Sequence, residues 1–503
     1  MDAGSNYLIY SSPTTPQQET GAAGGTKTYP LTAGTWQKEM LDFARLYDNK
    51  AATFTSSLGG EKTAIDTGKP AAETGAVKDA GLQKTYTRPA CVEVAIDPSE
   101  AVSREEEARA IESRNGEVLK QGMILKADHF PDIHQLNPKD PHVEGAPNYR
   151  KVEGEPIHGT SQPTVEGIKN VLKEAGADPA SGAGKKAVWT DLREEPVVYV
   201  NGQPFNMRSS DKPYSNLDQS GMSAKDIEKQ EEQLKKEILA EAAKNGGYIV
   251  VQEEVKEWSQ ETGKLECKTV PRKIKVDQES VKTTKDVFDG LKKEGYNVDF
   301  ARVPVTDEKS PEPRDFDAIR ERVEANPGGE FIFNCHQGKG RTTTAMVVAS
   351  LIHQSKDKTK AGQDILKNKA LREDIKEVGN HNTSQYRQIL KTIKGLAGGL
   401  KSSESKSKSK EEADAVIDRE ADLQNLRTTV EDAAKKAESA TDVKKKAEYE
   451  ARARDYQERY QLIIDFNEYL KEQSPGFKVS FEDWQKNKPE KNADAGSNKA
   501  AAA

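Results

Sequence analysis

The stretch Asn334-Cys335-His336-Gln337-Gly338-Lys339-Gly340-Arg341-Thr342 joins two apolar segments, Phe331-Ile332-Phe333 before it and Ala345-Met346-Val347-Val348-Ala349-Ser350-Leu351-Ile352 after it. The first reads as a buried strand and the second as a buried helix, with a tight glycine-containing loop between them. A chain that turns so sharply from a buried strand into a buried helix belongs to a layered α/β structure. The loop then lies at a helix N-terminus.

That position has chemical consequences. Gly338 and Gly340 free the backbone to point its N–H groups inward, and with the positive end of the helix dipole these groups form a concavity that prefers a dianionic phosphoryl group. The same field favours the thiolate of Cys335, which makes it a nucleophile. Arg341 offers a planar fork of donors that can grip two phosphoryl oxygens and stabilise the charge that develops on them, which a lysine does less well. Thr342 can donate its hydroxyl to the sulfur and make it a better leaving group. A purely structural turn around a buried cysteine has no need of Lys339 and Arg341. Lys339 adds charge beyond what one phosphate group requires, so a polyanionic ligand gains most from it.

Phosphoryl transfer from an alcohol also calls for an acid that protonates the leaving oxygen. Tyr296 to Val305 reads as a strand, and Thr306-Asp307-Glu308-Lys309-Ser310-Pro311-Glu312-Pro313 is a loop stiffened by two prolines. Asp307 is the candidate acid, with Glu308 as its competitor. Asp315 or Asp317 then begins another helix.

Elsewhere the strand and helix alternation starts near residue 90. Ser223 is a helix start, Ile227, Leu234 and Ile238 share one face, and Gly246-Gly247 ends that helix before the strand Tyr248-Ile249-Val250-Val251. A helix near 283–294, the strand at 296–305, a helix near 315–325 and the strand into Cys335 follow. Residues 1–34 and 56–85 have the composition of flexible segments, with a helix from Trp36 to Tyr47 between them. Lys401 to Lys410 reads as a linker. Residues 411–472 give one or two long helices whose apolar positions do not keep a strict heptad, so Tyr460, Leu462, Ile463, Ile464, Phe466 and Tyr469 are expected to pack against the main domain.

The charge balance narrows the partners. The chain of 503 residues is 34% apolar and 32% charged and carries a net charge of −7, which argues against a general nucleic-acid binder and makes any basic pocket a local feature. Cys91, Cys267 and Cys335 have no spacing suited to a zinc site or a disulfide framework, and a thiolate nucleophile works best in a reducing compartment such as the cytoplasm. Neither a secretory signal nor a membrane span is visible, which leaves transient contact with a membrane surface as the membrane-related expectation.

The residues also carry a family likeness. The Cys335 to Thr342 loop, with Arg302-Val303-Pro304-Val305-Thr306-Asp307 before it, resembles the protein-tyrosine-phosphatase-like phytases and, more closely, the paladin family. So do Asn148-Tyr149-Arg150, Gly159 to Thr164, Trp189 to Pro196 with Val200 to Phe205, and Glu458 to Leu470. The resemblance spans roughly residues 115–485, about one of the two units that paladins carry in tandem. It implies a cysteine-dependent phosphatase fold: a central, mostly parallel sheet flanked by helices, over 86–397. A linker at 398–411, a helical extension over 412–485 and a disordered tail at 486–503 follow.

The resemblance further implies a phosphomonoesterase of inositol polyphosphates or phosphoinositides that works through a phosphocysteine, with no metal and no cofactor. Cys335 would be the nucleophile, Arg341 the phosphate clamp, Thr342 the partner of the sulfur and Asp307 the acid. His336, Gln337, Gly338, Lys339 and Gly340 would cradle the substrate phosphate, and Arg150, Arg193 and Glu194 would line the pocket. One departure is Asn334, which stands where most of these phosphatases have histidine and puts the usual support of the thiolate in question; His336 is either an electrostatic substitute or a plain loop histidine. Gln385 lies where such enzymes orient the hydrolytic water, and an exposed helix start explains it equally well. Two other readings use the same residues: a protein tyrosine or dual-specificity phosphatase, and a scaffold that holds a phosphorylated ligand without turnover.

Overall fold

The computed structural model describes residues 98–128, 142–182, 184–217, 219–259, 264–356, 404–420 and 423–488. The expected helix at Trp36 to Tyr47, the flexible stretches at 1–34 and 56–85, and Gln385 lie outside them. The chain divides into two units. Residues Glu100–Phe130, Gln135–Gln252 and Pro271–Ala503 form the larger one, which holds the phosphate loop.

Its elements run, in chain order, α1 (Arg104–Ser113), β1 (Met123–Ala127), β2 (Arg150–Lys151), β3 (Ile157–Thr160), α2 (Val165–Glu174), β4 (Ala187–Arg193), β5 (Val197–Val200) and β6 (Gln203–Ser209). There follow α3 (Ala224–Lys244), β7 (Tyr248–Ser259), β8 (Lys264–Lys275), β9 (Val281–Thr283), α4 (Thr284–Lys293), β10 (Val298–Val305), α5 (Pro313–Ala325), β11 (Glu330–Asn334) and α6 (Gly340–Lys356). The outer parts of β7 and β8 belong to the smaller unit. Four further helices are α7 (Glu404–Arg419), α8 (Leu426–Ser439), α9 (Val443–Gln473) and α10 (Phe481–Lys486).

Five strands form one sheet in the order β10-β4-β11-β3-β2. All neighbours are parallel except β2 and β3, so this is the expected mostly parallel sheet. Its strands are buried on both faces, which accounts for uninterrupted apolar runs such as Phe331-Ile332-Phe333. One face packs on α5, α6, α9 and α10 through Phe316, Phe333, Met346, Ile463 and Phe466. The other packs on α2 and α4 through Ile168, Leu172, Trp189, Phe288 and Ile332. Helix α6 is buried on nearly every side, as its lack of a polar stripe demands.

A second sheet, in the order β8-β7-β1-β6-β5-β9, was not anticipated as a separate layer. Its pairs β1/β6, β5/β6 and β5/β9 are antiparallel, and α3 covers one face through Leu234 and Ile238. Asn201 and Gly202, at φ +51° and +80°, make the two-residue turn between β5 and β6 that an Asn-Gly pair favours. Helix starts follow the sequence: Ser223 caps α3, and Thr283 with Asp286 closes a capping box on α4.

The C-terminal region differs in detail. Helix α7 begins at Glu404, inside the stretch read as a linker, because its Lys and Ser residues precede apolar Ala413, Val416 and Ile417, which are buried in the main core. The long helical region is three helices rather than one or two. The expected packing of its apolar residues holds: Phe466 contacts the rings of Phe316, Tyr469 and Phe481 at 5.1–5.8 Å between centroids. Phe466→Ala is therefore expected to cost about 3–5 kcal/mol, measurable as a lower midpoint in chemical denaturation of the purified chain.

Candidate active site

Strand β11 carries Cys335 to the C-terminal edge of the parallel sheet, and α6 starts five residues later. The loop between them has no room for other sequences. Gly338 has φ +70°, and a Cβ there would lie 2.7 Å from Ser161 N and 2.8 Å from Thr160 C. Two further bonds brace the loop from outside: Gln162 N donates to His336 O (3.0 Å), and Asn148 Nδ2 donates to Gln337 O (2.8 Å). The first turn of α6 closes with Thr343 N donating to Lys339 O at 2.8 Å.

Within this frame Cys335 is a free thiol, 3% exposed. Arg341 is also buried, and its Nη1 donates to both carboxylate oxygens of Glu195 (3.1 Å each) and to Val305 O (3.0 Å). Nη2 lies 3.2 Å from Asp307 Oδ1. Nε and Nη2 of Arg341 and Oγ1 of Thr342 have no hydrogen-bond partner although all three are buried. Buried donors left open in this way cost about 1–3 kcal/mol each unless something occupies them. They lie in the first turn of α6, six and seven residues after Cys335, and a helix N-terminus is the place for an anion.

Asp307 sits beside Arg341, with Asn216 Nδ2 donating to its Oδ2. Burial pushes its carboxyl up, but Arg341, His336, the Asn216 amide and Arg193 outweigh that and hold it at about 2. In the free protein Asp307 is thus a carboxylate at neutral pH. A phosphate dianion on Arg341 would oppose the largest of those effects and lift it. Glu308, its competitor, has φ +59° and turns outward to pair with Arg452 at 3.0 Å.

Other expected pocket residues are placed differently. Arg150 is buried against α6, where its Nη2 donates to Thr343 Oγ1 (3.0 Å) and its Nη1 to Asn148 O (3.2 Å), so its visible bonds secure the helix to β2. Glu194 Oε1 accepts from Met222 N at 3.0 Å and fixes the chain before α3. Arg193 is fully buried and bonds Glu195 (3.0 Å), Asp128 (2.5 Å) and Gln162 (3.2 Å), one step behind the cavity. Their common cause is burial: an arginine at the end of a covered strand meets protein acceptors before it meets a ligand.

His336 does not replace the missing histidine before the cysteine. Its Nε2 lies 3.2 Å from Asp128, but burial, Arg208 and Arg193 push the ring below the usual histidine range, which leaves it neutral at pH 7. Asn334 points along the sheet, accepting from Trp189 Nε1 (2.7 Å) and donating to Asp191 Oδ1 (3.1 Å). It ties β11 to β4.

Sequence reasoning missed four contributors. Glu195 clamps Arg341. Asp128, just after β1, anchors both Arg193 and Arg208 and shares His336. The other two lie on α9, where Arg452, Tyr456 and Arg459 fall at i, i+4 and i+7 and so share a face. Both guanidinium groups lie over the Tyr456 ring, at 5.8 and 5.1 Å. Arg459 is 1% exposed, donates Nη2 to Lys309 O (2.5 Å) and leaves Nε and Nη1 without an acceptor. A Cβ on Gly340 would lie 2.8 Å from its Nη1, so α9 closes directly over the loop. Half-buried Lys339 feels Arg452 as well, and burial and that charge push its ammonium down. The 3.6-residue spacing of the two arginines was present in the sequence, but only docking of α9 gives it meaning.

Comparison with known proteins bears on the same segment. The family model described as PTP-like phytase, inositol hexakisphosphate, matches residues 190–353, from β4 to α6. Paladin of Xenopus tropicalis is 25% identical over 370 residues, covering 71% of this chain and 38% of the relative. Human paladin is 25% identical over 377 residues, covering 73% and 37%. The chain thus spans less than two fifths of the length of these relatives. A solved structure of the PTP-like myo-inositol phosphatase of Mitsuokella multacida, in complex with myo-inositol-(1,3,4,5)-tetrakisphosphate, is 18% identical, with 73% of this chain and 48% of that chain covered and a TM-score of 0.42. Residues 190–353, which contain the cysteine loop, its arginine and the candidate acid, thus match the PTP-like phytase family model, in a chain that is similar over most of its length to part of the paladins.

Proposed function

We propose that this protein is a cysteine-dependent phosphomonoesterase acting on inositol polyphosphates or on phosphoinositide head groups. The observation that carries the reading is the pair of open buried donors, Arg341 Nε and Thr342 Oγ1, in the loop that holds a free Cys335. In this mechanism Arg341 and the loop N–H groups hold the phosphoryl oxygens while Cys335 attacks phosphorus. The S–P bond forms as the P–O bond breaks, and Asp307 passes its proton to the leaving oxygen. Water then cleaves the phosphocysteine, with the same carboxylate taking the water's proton. Thr342 Oγ1, having no other partner, donates to the sulfur as it leaves.

The cations around the cavity favour a polyanion over a phosphotyrosine. Lys339, Arg452 and Arg459 surround the loop, and only one of the substrate's phosphates can occupy the loop itself. Arg452 is the one that can turn to a second phosphate, because its partner Glu308 is exposed and the ion pair between them is solvent-screened. The family model's inositol hexakisphosphate description agrees with this choice.

Phosphate release should be measured in chelator with inositol hexakisphosphate, a short-chain phosphoinositide and a phosphotyrosine peptide. The inositol compounds are expected to be hydrolysed and Cys335→Ser to fall to background. Preference for the peptide would move the substrate class to proteins, and binding without release would leave a phospho-ligand scaffold. Asp307→Asn is expected to lower kcat on inositol hexakisphosphate by about 10²–10⁴ and to remove the basic limb of the kcat profile, since a carboxylate cannot serve as the acid. Arg452→Ala should raise KM for inositol hexakisphosphate about tenfold and leave an aryl monophosphate unaffected, with kcat unchanged for both, the pattern of lost uniform binding.

A further inference from the structure

Asp307 is held from two sides. Arg341 Nη2 stands 3.2 Å from Oδ1, while Asn216 Nδ2 donates to Oδ2. Asn216 comes from the loop between β6 and α3, 91 residues earlier in the chain, and half-buries there. Its amide has one sensible orientation, because Oδ1 accepts from Arg208 Nη1 and the N–H end must then face the carboxylate. Arg208 is fully buried on β6 and is fixed in turn by Asp128 at 3.3 Å, with His336 Nε2 at 3.4 Å. A chain of polar contacts therefore runs from the loop residue beside Cys335, through the second sheet, to the acid. Asparagine suits this link because it accepts from a cation at one end, donates to an anion at the other, and adds no charge.

We infer that Asn216 is a positioning residue for the acid step: by taking Oδ2 it fixes the rotation of the Asp307 carboxyl and leaves Oδ1 on the side of Arg341, where a phosphoryl group held by Arg341 brings its leaving oxygen. The inference rests on the reading of Asp307 as the acid. It assigns a catalytic purpose to the second, mixed sheet, whose Arg208 holds Asn216 in register. Misplacing the acid by even about 1 Å is enough to cost a large part of its contribution. The other charged or titratable groups that face Asp307 are Arg341 from α6, Arg193 and Glu195 from the end of β4, the neutral His336 in the loop, and Arg452 and Arg459 from α9. None of these is changed by altering Asn216. Removing its N–H withdraws a donor from the charged carboxylate and so raises the pH at which the acid loses its proton.

The test is steady-state kinetics of wild type, Asn216→Ala, Asp307→Asn and the double variant, on inositol hexakisphosphate and on dinitrophenyl phosphate, whose leaving group needs no proton. Asn216→Ala is expected to lower kcat about tenfold on inositol hexakisphosphate and less than about twofold on the aryl ester, with KM little changed and the basic limb moved to higher pH. In the Asp307→Asn background the same change is expected to add nothing. Equal losses on both substrates, or an undiminished loss without Asp307, would overturn the inference. If Asp307→Asn itself slows both substrates alike, the acid reading of Asp307 fails, and that is visible separately from any effect of Asn216. Asn216→Asp, nearly the same size, serves where the alanine variant does not fold: its carboxylate beside Asp307 should move the basic limb up further, and an unmoved limb counts against the proposal.

Discussion

The pair between Glu195 and Arg341 is the interaction on which the site depends. An arginine fork can grip a phosphate only if it is held rigid and partly unsatisfied, and Glu195 does this by taking Nη1 with both oxygens while Nε stays open and Nη2 has only the Asp307 carboxylate beside it. The pair is buried, so removing the carboxylate would strand a charge at a cost of about 3–5 kcal/mol. Glu195 is in turn bonded by Arg193, and Arg193 by Asp128, which makes a ladder of alternating charge reaching from the parallel sheet to the first strand of the second sheet. Each member satisfies the next, and that is how so many ionised groups are kept out of water.

The two sheets divide the work. The parallel sheet sets Cys335 at the end of β11, ahead of the N-terminus of α6. The second, mixed sheet has Asp128 and Arg208 at its rim, and these hold His336, Arg193 and Asn216. Helix α9 completes the enclosure from outside. Its apolar residues join the main core through Ile463, Phe466 and Leu470, and this buried contact brings Arg452 and Arg459 to the loop. The placing of these two arginines thus depends on packing some distance from the loop.

Much of this was legible beforehand because it is local. The strand, glycine turn and helix around Cys335 declare themselves by periodicity, by Gly338 with its positive φ, and by the threonines that follow Arg341. Asp307 was legible as a polar residue at the end of a strand just before a proline-stiffened loop. Helix starts at Ser223 and Thr283 were legible because capping is a matter of three or four neighbouring residues. The second sheet was less so: Asn201-Gly202 signals a hairpin, but pairing of β1 with β6 depends on residues some eighty positions apart, and no local pattern encodes that.

The division follows from range. By itself the amino-acid sequence determined the phosphate loop, its nucleophile, its arginine and the acid candidate, because these need only short-range backbone geometry and the right residue types. Tertiary structure alone decided which charged residues face the ligand and which face each other. Arg150, Arg193 and Glu194 are bonded to other groups of the protein, whereas Glu195, Arg452 and Arg459 looked unremarkable and lie by Arg341 and the loop, and Asn216 reaches Asp307. The physical reason is that a charge acts over a few ångströms in a low-dielectric interior, and sequence distance says little about which charges a fold will bring within that reach.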